Sequence, residues 1–354
     1  MIKKNKICFV IPSLLDRGPI KVVKSITDLM LTQTRFEFEV FYFDEVKSSK
    51  LHFNCKVEKI NFSHKLKGFD IIHTHGLRPD LYGIYHYNNE ESVYHISTAH
   101  NYIDELKFEY NFFISTVFYH VWKAIFRRVD YLVTLTVAMK KYYEKRGVKN
   151  ICHIYNGILE NKEQTPVQSN DHKLLTSFRD KFSTTIGSMC ILTERKGIDQ
   201  VLKLLTINKN LGFILIGDGL LLNNLKRMSN LLGVQEQVLF LGYKENSYKY
   251  LKYFDAFVIP SRSEGFGLTL IEAARYKTPV IASDIPTFRE LFNKNEIAFF
   301  KPDDITDFNQ KLKNIISNKQ MYIDNAYKKY LNNYTDKIMA NKYFELYEKA
   351  MFRY

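Results

Sequence analysis

Apolar and polar positions fall into two alternating patterns along this chain. Continuous apolar runs, short enough to be buried strands, lead into turn-rich loops, and the loops lead into stretches with apolar residues at helical spacing. Lys6–Ile11 is the first such run, Pro12–Pro19 is its loop, and Val22, Val23, Ile26, Leu29 and Met30 form the helical stripe. Phe36–Phe43 alternates strictly, and Val57–Phe62, Phe69–Thr74, Val93–Ala99, Asp130–Thr136 and Ile151–Tyr155 read as further strands, with a helix over Met139–Arg146. Periodicity fades and polar residues accumulate from Glu160 to Ser177, as in a linker between domains.

Beyond the linker the pattern starts again. Thr184–Leu192, Leu211–Ile216, Val238–Leu241, Ala256–Ile259 and Ile297–Phe300 predict strands, and Ile198–Leu205, Leu220–Leu232 and Leu268–Tyr276 predict helices. The terminal stretch Ile338–Phe352 is amphipathic. Strand and helix alternating in this way predict an α/β chain of two Rossmann-like, doubly wound parallel sheets facing a cleft, with ligands at the carboxyl ends of strands.

Composition narrows the partners. A chain of 354 residues holds two domains of ordinary size, and 45% hydrophobic with 25% charged residues is that of a water-soluble protein. The net charge of +13 is spread over both halves, which argues against a nucleic-acid tail and suits anionic substrates or an anionic membrane surface. Cys8, Cys55, Cys152 and Cys190 are scattered without metal-like spacing and read as reduced cysteines of a cytoplasmic protein. Met1–Leu15 imitates a signal peptide, but Pro12 and Asp16 interrupt it and no small-x-small cleavage site follows. No apolar run reaches the ~18 residues of a membrane span.

One segment leaves two readings open. Leu106–Arg128 carries Phe108, Phe112, Phe113, Phe118, Trp122 and Phe126 beside His120, Lys123, Arg127 and Arg128. It is either an interfacial stretch with aromatics in the membrane and basic groups toward lipid phosphates, or an aromatic core helix whose basic end suits its dipole.

The chemistry concentrates in Pro260–Ala274, which reads Pro-Ser-Arg-Ser-Glu-Gly-Phe-Gly-Leu-Thr-Leu-Ile-Glu-Ala-Ala. A buried strand precedes it. Gly265 and Gly267 flank Phe266 and allow backbone to approach a ligand closely, and the helix beginning at Leu268 would point free amides at an anion. Glu264 and Glu272 frame the turn. Upstream, Arg195-Lys196-Gly197 before a helix suits a diphosphate, the Arg through paired donors and the Lys as a point charge. His75 and His100 stand at the ends of predicted strands, placed either for ligand contact or for a purely structural role, with Asn101 beside His100.

Together with Leu270–Ala274 and Pro279–Asp284, this constellation resembles the Glu-x7-Glu signature of family 4 glycosyltransferases, retaining enzymes of the GT-B fold that use nucleotide-sugar donors. The resemblance implies two Rossmann-like domains, 1–160 on the acceptor side and 181–334 on the donor side, joined by a linker at 161–180, with a helix at 335–354 returning to the first. It implies that Glu264 holds donor-sugar hydroxyls, that Gly265, Phe266, Gly267, Leu268 and Thr269 hold sugar and diphosphate, and that Glu272 binds the ribose. Lys196, with Arg195, would meet the diphosphate; the Arg usual in the family at 191 is Ile191 here. Gly18 in the first loop and Gly217 in Gly217-Asp218-Gly219 would lie by the donor, and Tyr243 and Lys244 by the base. His100 would orient the reacting groups, with His75 and Asn101 on the acceptor side.

No cofactor or metal is implied, and no Asp-x-Asp motif occurs. The function so implied is sugar transfer from a UDP- or GDP-sugar to a glycan hydroxyl, on a lipid-linked acceptor, in bacterial capsule or lipopolysaccharide synthesis. The setting would be cytoplasmic, with peripheral contact at the inner membrane face through 106–128. Rival readings are a nucleotide-sugar epimerase or glycoside phosphorylase on the same architecture, and a non-catalytic subunit that binds nucleotide sugar or glycan.

Overall fold

The computed structural model describes residues 5–32, 35–47, 49–87, 92–108, 111–160 and 166–351. The chain divides into two compact units, Met1–Leu159 with Asn333–Tyr354, and Glu160–Asn332.

In the first unit, strands β1 (Asn5–Ser13), β2 (Phe36–Asp44), β3 (Val57–Lys59), β4 (Ile71–Thr74), β5 (Tyr94–Ala99), β6 (Tyr131–Thr134) and β7 (Ile151–His153) form one sheet in the order β3-β2-β1-β4-β5-β6-β7. Every ladder in it is parallel. Helices α1 (Gly18–Met30), α2 (Leu77–Tyr87), α3 (Phe112–Phe126) and α4 (Val137–Glu144) make the crossovers. A parallel sheet is covered on both faces, so its central strands must be apolar throughout, and Ile7 to Ile11 are fully buried. Strand order reverses at β1, where Ile7 pairs with Phe36 of β2 on one side and Ile71 of β4 on the other. The loops leaving β1 and β4 therefore diverge and open a crevice at the carboxyl edge.

The second unit repeats the plan. Helix α5 (Ser169–Arg179) precedes β8 (Thr184–Met189), α6 (Ile198–Thr206), β9 (Leu211–Ile216), α7 (Leu222–Leu231), β10 (Val238–Gly242), β11 (Ala256–Ile259), α8 (Leu268–Arg275), β12 (Val280–Ser283), α9 (Pro286–Leu291), β13 (Ala298–Phe300), α10 (Ile305–Ser317) and α11 (Lys319–Asn333). The sheet runs β10-β9-β8-β11-β12-β13, again parallel, with its reversal between β8 and β11. Helix α12 (Asp336–Met351) belongs to the first unit, where Tyr347 sets its ring edge-on to Phe9 of β1 and Phe344 tilts against Phe36.

Several expected boundaries shift for physical reasons. Within the stretch 161–180, residues 161–165 lie outside the described residues, and Ser169–Arg179 is helix because Leu175 and Phe178 supply an apolar stripe. The strand expected to reach Thr136 ends at Thr134, since Thr136 caps α4 by accepting a hydrogen bond from Met139 N at 3.0 Å. Leu106–Arg128 divides: Ile103–Phe108 is a 3-10 turn, residues 109–110 lie outside the described residues, and α3 follows. Ile125 and Phe126 at the C-terminal end of α3 are buried, whereas Phe112, Phe113, Ile114 and Val117 at its start are exposed, so the core reading describes only the C-terminal half of that helix. Among the described residues no helix is long and apolar enough to cross a membrane.

Candidate functional site

In the second unit the loops leaving β8 and β11 are knitted together. Arg262 N donates to Arg195 O at 2.8 Å, and the buried Gln200 donates to Pro260 O at 2.8 Å while accepting from Asp303 N at 2.7 Å. Gly197 between them has φ 64°, and a Cβ there would come within 2.1 Å of Pro260 O, so only glycine lets the loops meet. Arg262 is clamped by Asp199 at 2.9 Å and Asp303 at 2.7 Å.

This scaffold brings Arg195 and Lys196 onto Glu264. Lys196 Nζ lies 2.5 Å from one carboxylate oxygen, Ser261 Oγ donates to the same oxygen at 2.7 Å, and an Arg195 guanidinium nitrogen lies 3.5 Å from the other. Thr287 Oγ1 donates to the Glu264 carbonyl at 2.8 Å and fixes the backbone. Burial pushes the Glu264 carboxyl upward, but Lys196, Arg195 and the hydrogen bonds outweigh it and hold the group below the usual carboxylate range. Glu264 is thus a buried, ionised acceptor with two cations beside it.

Directly after it comes the start of α8. Gly267 precedes the helix with φ 87° in the left-handed region, where a Cβ would come within 2.7 Å of the Phe288 ring, and no side chain caps the first turn. Phe266 is buried and anchors the turn. The amides of Leu268 and Thr269 are therefore presented without a capping carboxylate, a setting that favours an anion. Glu272 lies one turn further along α8, partly exposed. Ile191, at the position where the resemblance expects an Arg, is 51% exposed, and the guanidinium that reaches Glu264 is that of Arg195.

The remaining donor-side candidates stand apart from this group. Gly217 has φ 140°, and a Cβ would sit 1.8 Å from Cys190 O, so the close crossing of the β8 and β9 loops itself requires glycine there. Tyr243 is half exposed just past β10. Lys244, expected at the base, has its ammonium paired with Asp171 of α5 at 2.9 Å, and Tyr250 donates to the same carboxylate. Burial opposes ionisation of Asp171, but Tyr250 and Lys244 more than offset it and keep its pKa low. The Lys244 ammonium therefore ties α5 to its unit.

In the first unit the candidates gather at the carboxyl edge of β1, β4 and β5. Gly18 is the first residue of α1, with Pro19 beside it and no side-chain cap. His75 and His100 follow β4 and β5, with His75 Nδ1 2.8 Å from His100 Nε2. His75, expected on the acceptor side, is 1% exposed and lies behind the partly exposed His100, its ring tilted against that of His73 with centroids 4.4 Å apart. Asn101 is exposed, and its carbonyl accepts from Tyr143 OH at 2.8 Å. Burial pushes the His100 pKa down to about 3, and burial with the neighbouring His73 and His100 pushes that of His75 well down, so both rings are neutral.

Pattern reading missed the residues that hold these groups. Ser261, Thr287 and Gln200 brace Glu264 and its loop, while Thr98, Tyr347, Asp80 and Trp122 build the polar floor of the first unit. Only Ser261, three residues before Glu264, carried a local signal. Among the described residues no group of three or more His, Cys, Asp or Glu is arranged to hold a metal ion.

Two family models match the chain, glycosyl transferases group 1 over residues 177–333 and glycosyltransferase family 4 over residues 39–161. An O-antigen biosynthesis glycosyltransferase, WclY, of Escherichia coli is 33% identical over 305 residues, covering 83% of this chain and 84% of its own. A diphospho-undecaprenol 4-alpha-N-acetylgalactosaminyltransferase of Campylobacter jejuni is 28% identical over 174 residues, 48% of this chain and 45% of its own. In fold, the chain superposes on Anabaena HepE, solved with UDP and glucose, with TM-score 0.81 at 17% identity, covering 98% of this chain and 100% of that one. Two parallel-sheet units with these matches make the chain a member of the family 4 glycosyltransferases, built on the GT-B fold.

Proposed function

We propose that this glycosyltransferase acts in bacterial surface-polysaccharide synthesis, moving a sugar from a UDP- or GDP-sugar to a glycan hydroxyl with retention of anomeric configuration. The observation that carries the reading is the ionised Glu264 held by Lys196, Arg195 and Ser261 beside the uncapped start of α8. A carboxylate fixed in this way can accept hydrogen bonds from sugar hydroxyls. The adjoining cations and amides suit the charge that grows on a departing diphosphate, the kind of preorganised electrostatics that dominates catalysis of such steps. Because fixed cations meet that charge, the reading includes no metal or other cofactor. Attack by the acceptor on the face the diphosphate leaves would retain configuration. Glu272 is assigned to the ribose and His100 to the reacting sugar or phosphate.

The surface pathway and lipid-linked acceptor follow the relatives, one named for O-antigen biosynthesis and another for a diphospho-undecaprenol saccharide. A cytoplasmic enzyme with such an acceptor must meet the inner face of the membrane. The exposed Phe112, Phe113, Ile114 and Val117, with Lys123 further along the helix and Arg127 and Arg128 just past its end, suit an anionic lipid surface.

The test is turnover of a panel of UDP- and GDP-sugars with EDTA present, with the product anomer read by NMR. One donor consumed, an unchanged anomer and indifference to EDTA are expected. Inversion would overturn the mechanism, and metal dependence would overturn the role given to Lys196 and Arg195. Epimerised donor or released sugar phosphate would identify one of the rival enzymes, whereas donor binding without turnover would mark a non-catalytic subunit. Serine at both Phe112 and Phe113 should reduce co-sedimentation with anionic vesicles; unchanged binding would remove the membrane contact.

A further inference from the structure

The role of His100 depends on which ring nitrogen carries its proton, and the residues behind it decide this. His100 Nε2 faces His75 Nδ1 at 2.8 Å, so the nitrogen left for a substrate is Nδ1. His75 is buried, and its own Nε2 has no hydrogen-bond partner among the described residues. A buried N–H without an acceptor is rarer and costlier than an unused lone pair, so the His75 proton sits on Nδ1 and is donated to His100 Nε2. His100, neutral and accepting at Nε2, must then hold its proton on Nδ1.

The His75 ring is not free to turn away. It packs at a tilt against His73, whose two nitrogens are held at 2.8 Å by Thr98 Oγ1 of β5 and at 2.8 Å by Tyr347 OH of α12. Tyr343 of the same helix lies 3.3 Å from Thr98 Oγ1. The C-terminal helix thus pins the histidine cluster from behind.

We propose that His75 is a positioning residue which fixes His100 as its Nδ1–H tautomer, so that His100 meets the substrate as a hydrogen-bond donor and not as a base. The functional half of this proposal rests on the transferase reading above, since it needs His100 to touch the reacting groups.

Two measurements test it. In the wild-type protein labelled with 15N-histidine, long-range proton–nitrogen correlation, with His100→Gln used for assignment, should show Nδ1 of His100 protonated and Nε2 bare. Protonation at Nε2 overturns the proposal. His75→Leu should move the His100 proton to Nε2 and lower kcat by about 10²-fold with KM little changed, the scale of losing one catalytic donor. His75→Asn, whose amide nitrogen stands where His75 Nδ1 stood, should keep the wild-type tautomer and stay within about tenfold in kcat. His75→Gln, which puts the amide one position too far, should behave like leucine.

A tautomer that shifts in His75→Leu without loss of kcat would overturn the functional half. If the wild type turns over no nucleotide sugar, the transferase reading fails while the spectrum alone still decides the tautomer.

Discussion

Each unit buries a carboxyl group near the carboxyl edge of its sheet, and the pKa values of the two are pushed in opposite directions. Asp80 on α2 accepts from Thr74 Oγ1 at 2.5 Å, Ser97 Oγ at 2.7 Å and Trp122 Nε1 at 2.7 Å, all neutral donors. Burial nevertheless pushes its pKa up to about 7, since those three bonds recover only part of the lost hydration. Glu264 also meets three side chains, but two are cations, and its pKa falls below the usual range. Three side chains meet each carboxyl, so neutral hydrogen bonds shape the first cluster while formal charge defines the second. The neutral histidines and Asp80 hold geometry; the ionised Glu264 holds two cations beside the uncapped start of α8.

The largest break in this contrast should come from Lys196→Ala. Removing one preorganised cation costs roughly 10² to 10³ in kcat, or about 3 to 4 kcal/mol of transition-state stabilisation, by analogy with other electrostatic donors. Steady-state turnover checks it, and near-normal kcat would detach Lys196 from the chemistry.

Neutralising each carboxyl compares the clusters directly. Glu264→Gln leaves two largely buried cations facing a neutral amide, and breaking a buried pair from one side costs about 3 kcal/mol or more. Asp80→Asn should cost about 1 kcal/mol or less. The amide oxygen can face Trp122 while the Thr74 and Ser97 hydroxyls turn to accept from its nitrogen. Urea midpoints at pH 6 measure both, and equal losses would mean that Asp80 is ionised in the fold.

The pH dependence sharpens the same point. His95 and His100, whose pKa burial pushes down to about 3, bind fewer protons folded than unfolded, so their contribution is full above about pH 6.5 and is lost as pH falls. Asp80 runs the other way. Its raised pKa makes its contribution full below about pH 4 and lost as pH rises toward 7. Stability should rise from pH 4.5 to 6.5 in the wild type and rise more steeply in Asp80→Asn, by up to about 1.4 kcal/mol per pH unit. Coincident slopes would show that Asp80 does not hold a proton in this range.

How much of this was legible in the sequence follows from distance along the chain. Arg195-Lys196-Gly197 and the run from Glu264 to Glu272 are local patterns, and strand–loop–helix order is carried by apolar periodicity, so fold and donor-side candidates could be read directly. The floor of the first unit could not. His73 meets Tyr347 across 274 positions and Asp80 meets Trp122 across 42, and no local pattern announces such pairs. His75 was therefore expected beside a substrate, when it stands behind His100. The ion pair of Lys244 was hidden for the same reason, its partner Asp171 lying 73 positions back in a segment too polar to announce a helix.

The finest comparison uses two serines in matched settings. Ser97 Oγ and Ser261 Oγ are each buried and each donates to its carboxyl oxygen at 2.7 Å, so geometry and desolvation are nearly the same. What differs is the acceptor. A bond to a charged group contributes about 1.5 to 3 kcal/mol and one between neutral partners about 1 kcal/mol, so Ser261→Ala should cost about 1 kcal/mol more than Ser97→Ala. Ser261→Ala should also raise the Glu264 pKa and weaken turnover at acid pH first, since the carboxylate must stay ionised to accept from a sugar hydroxyl. Equal costs for the two alanines would mean that Glu264 owes its ionisation to Lys196 and Arg195 alone, leaving the cations as the whole difference between a cluster that shapes and a cluster that acts.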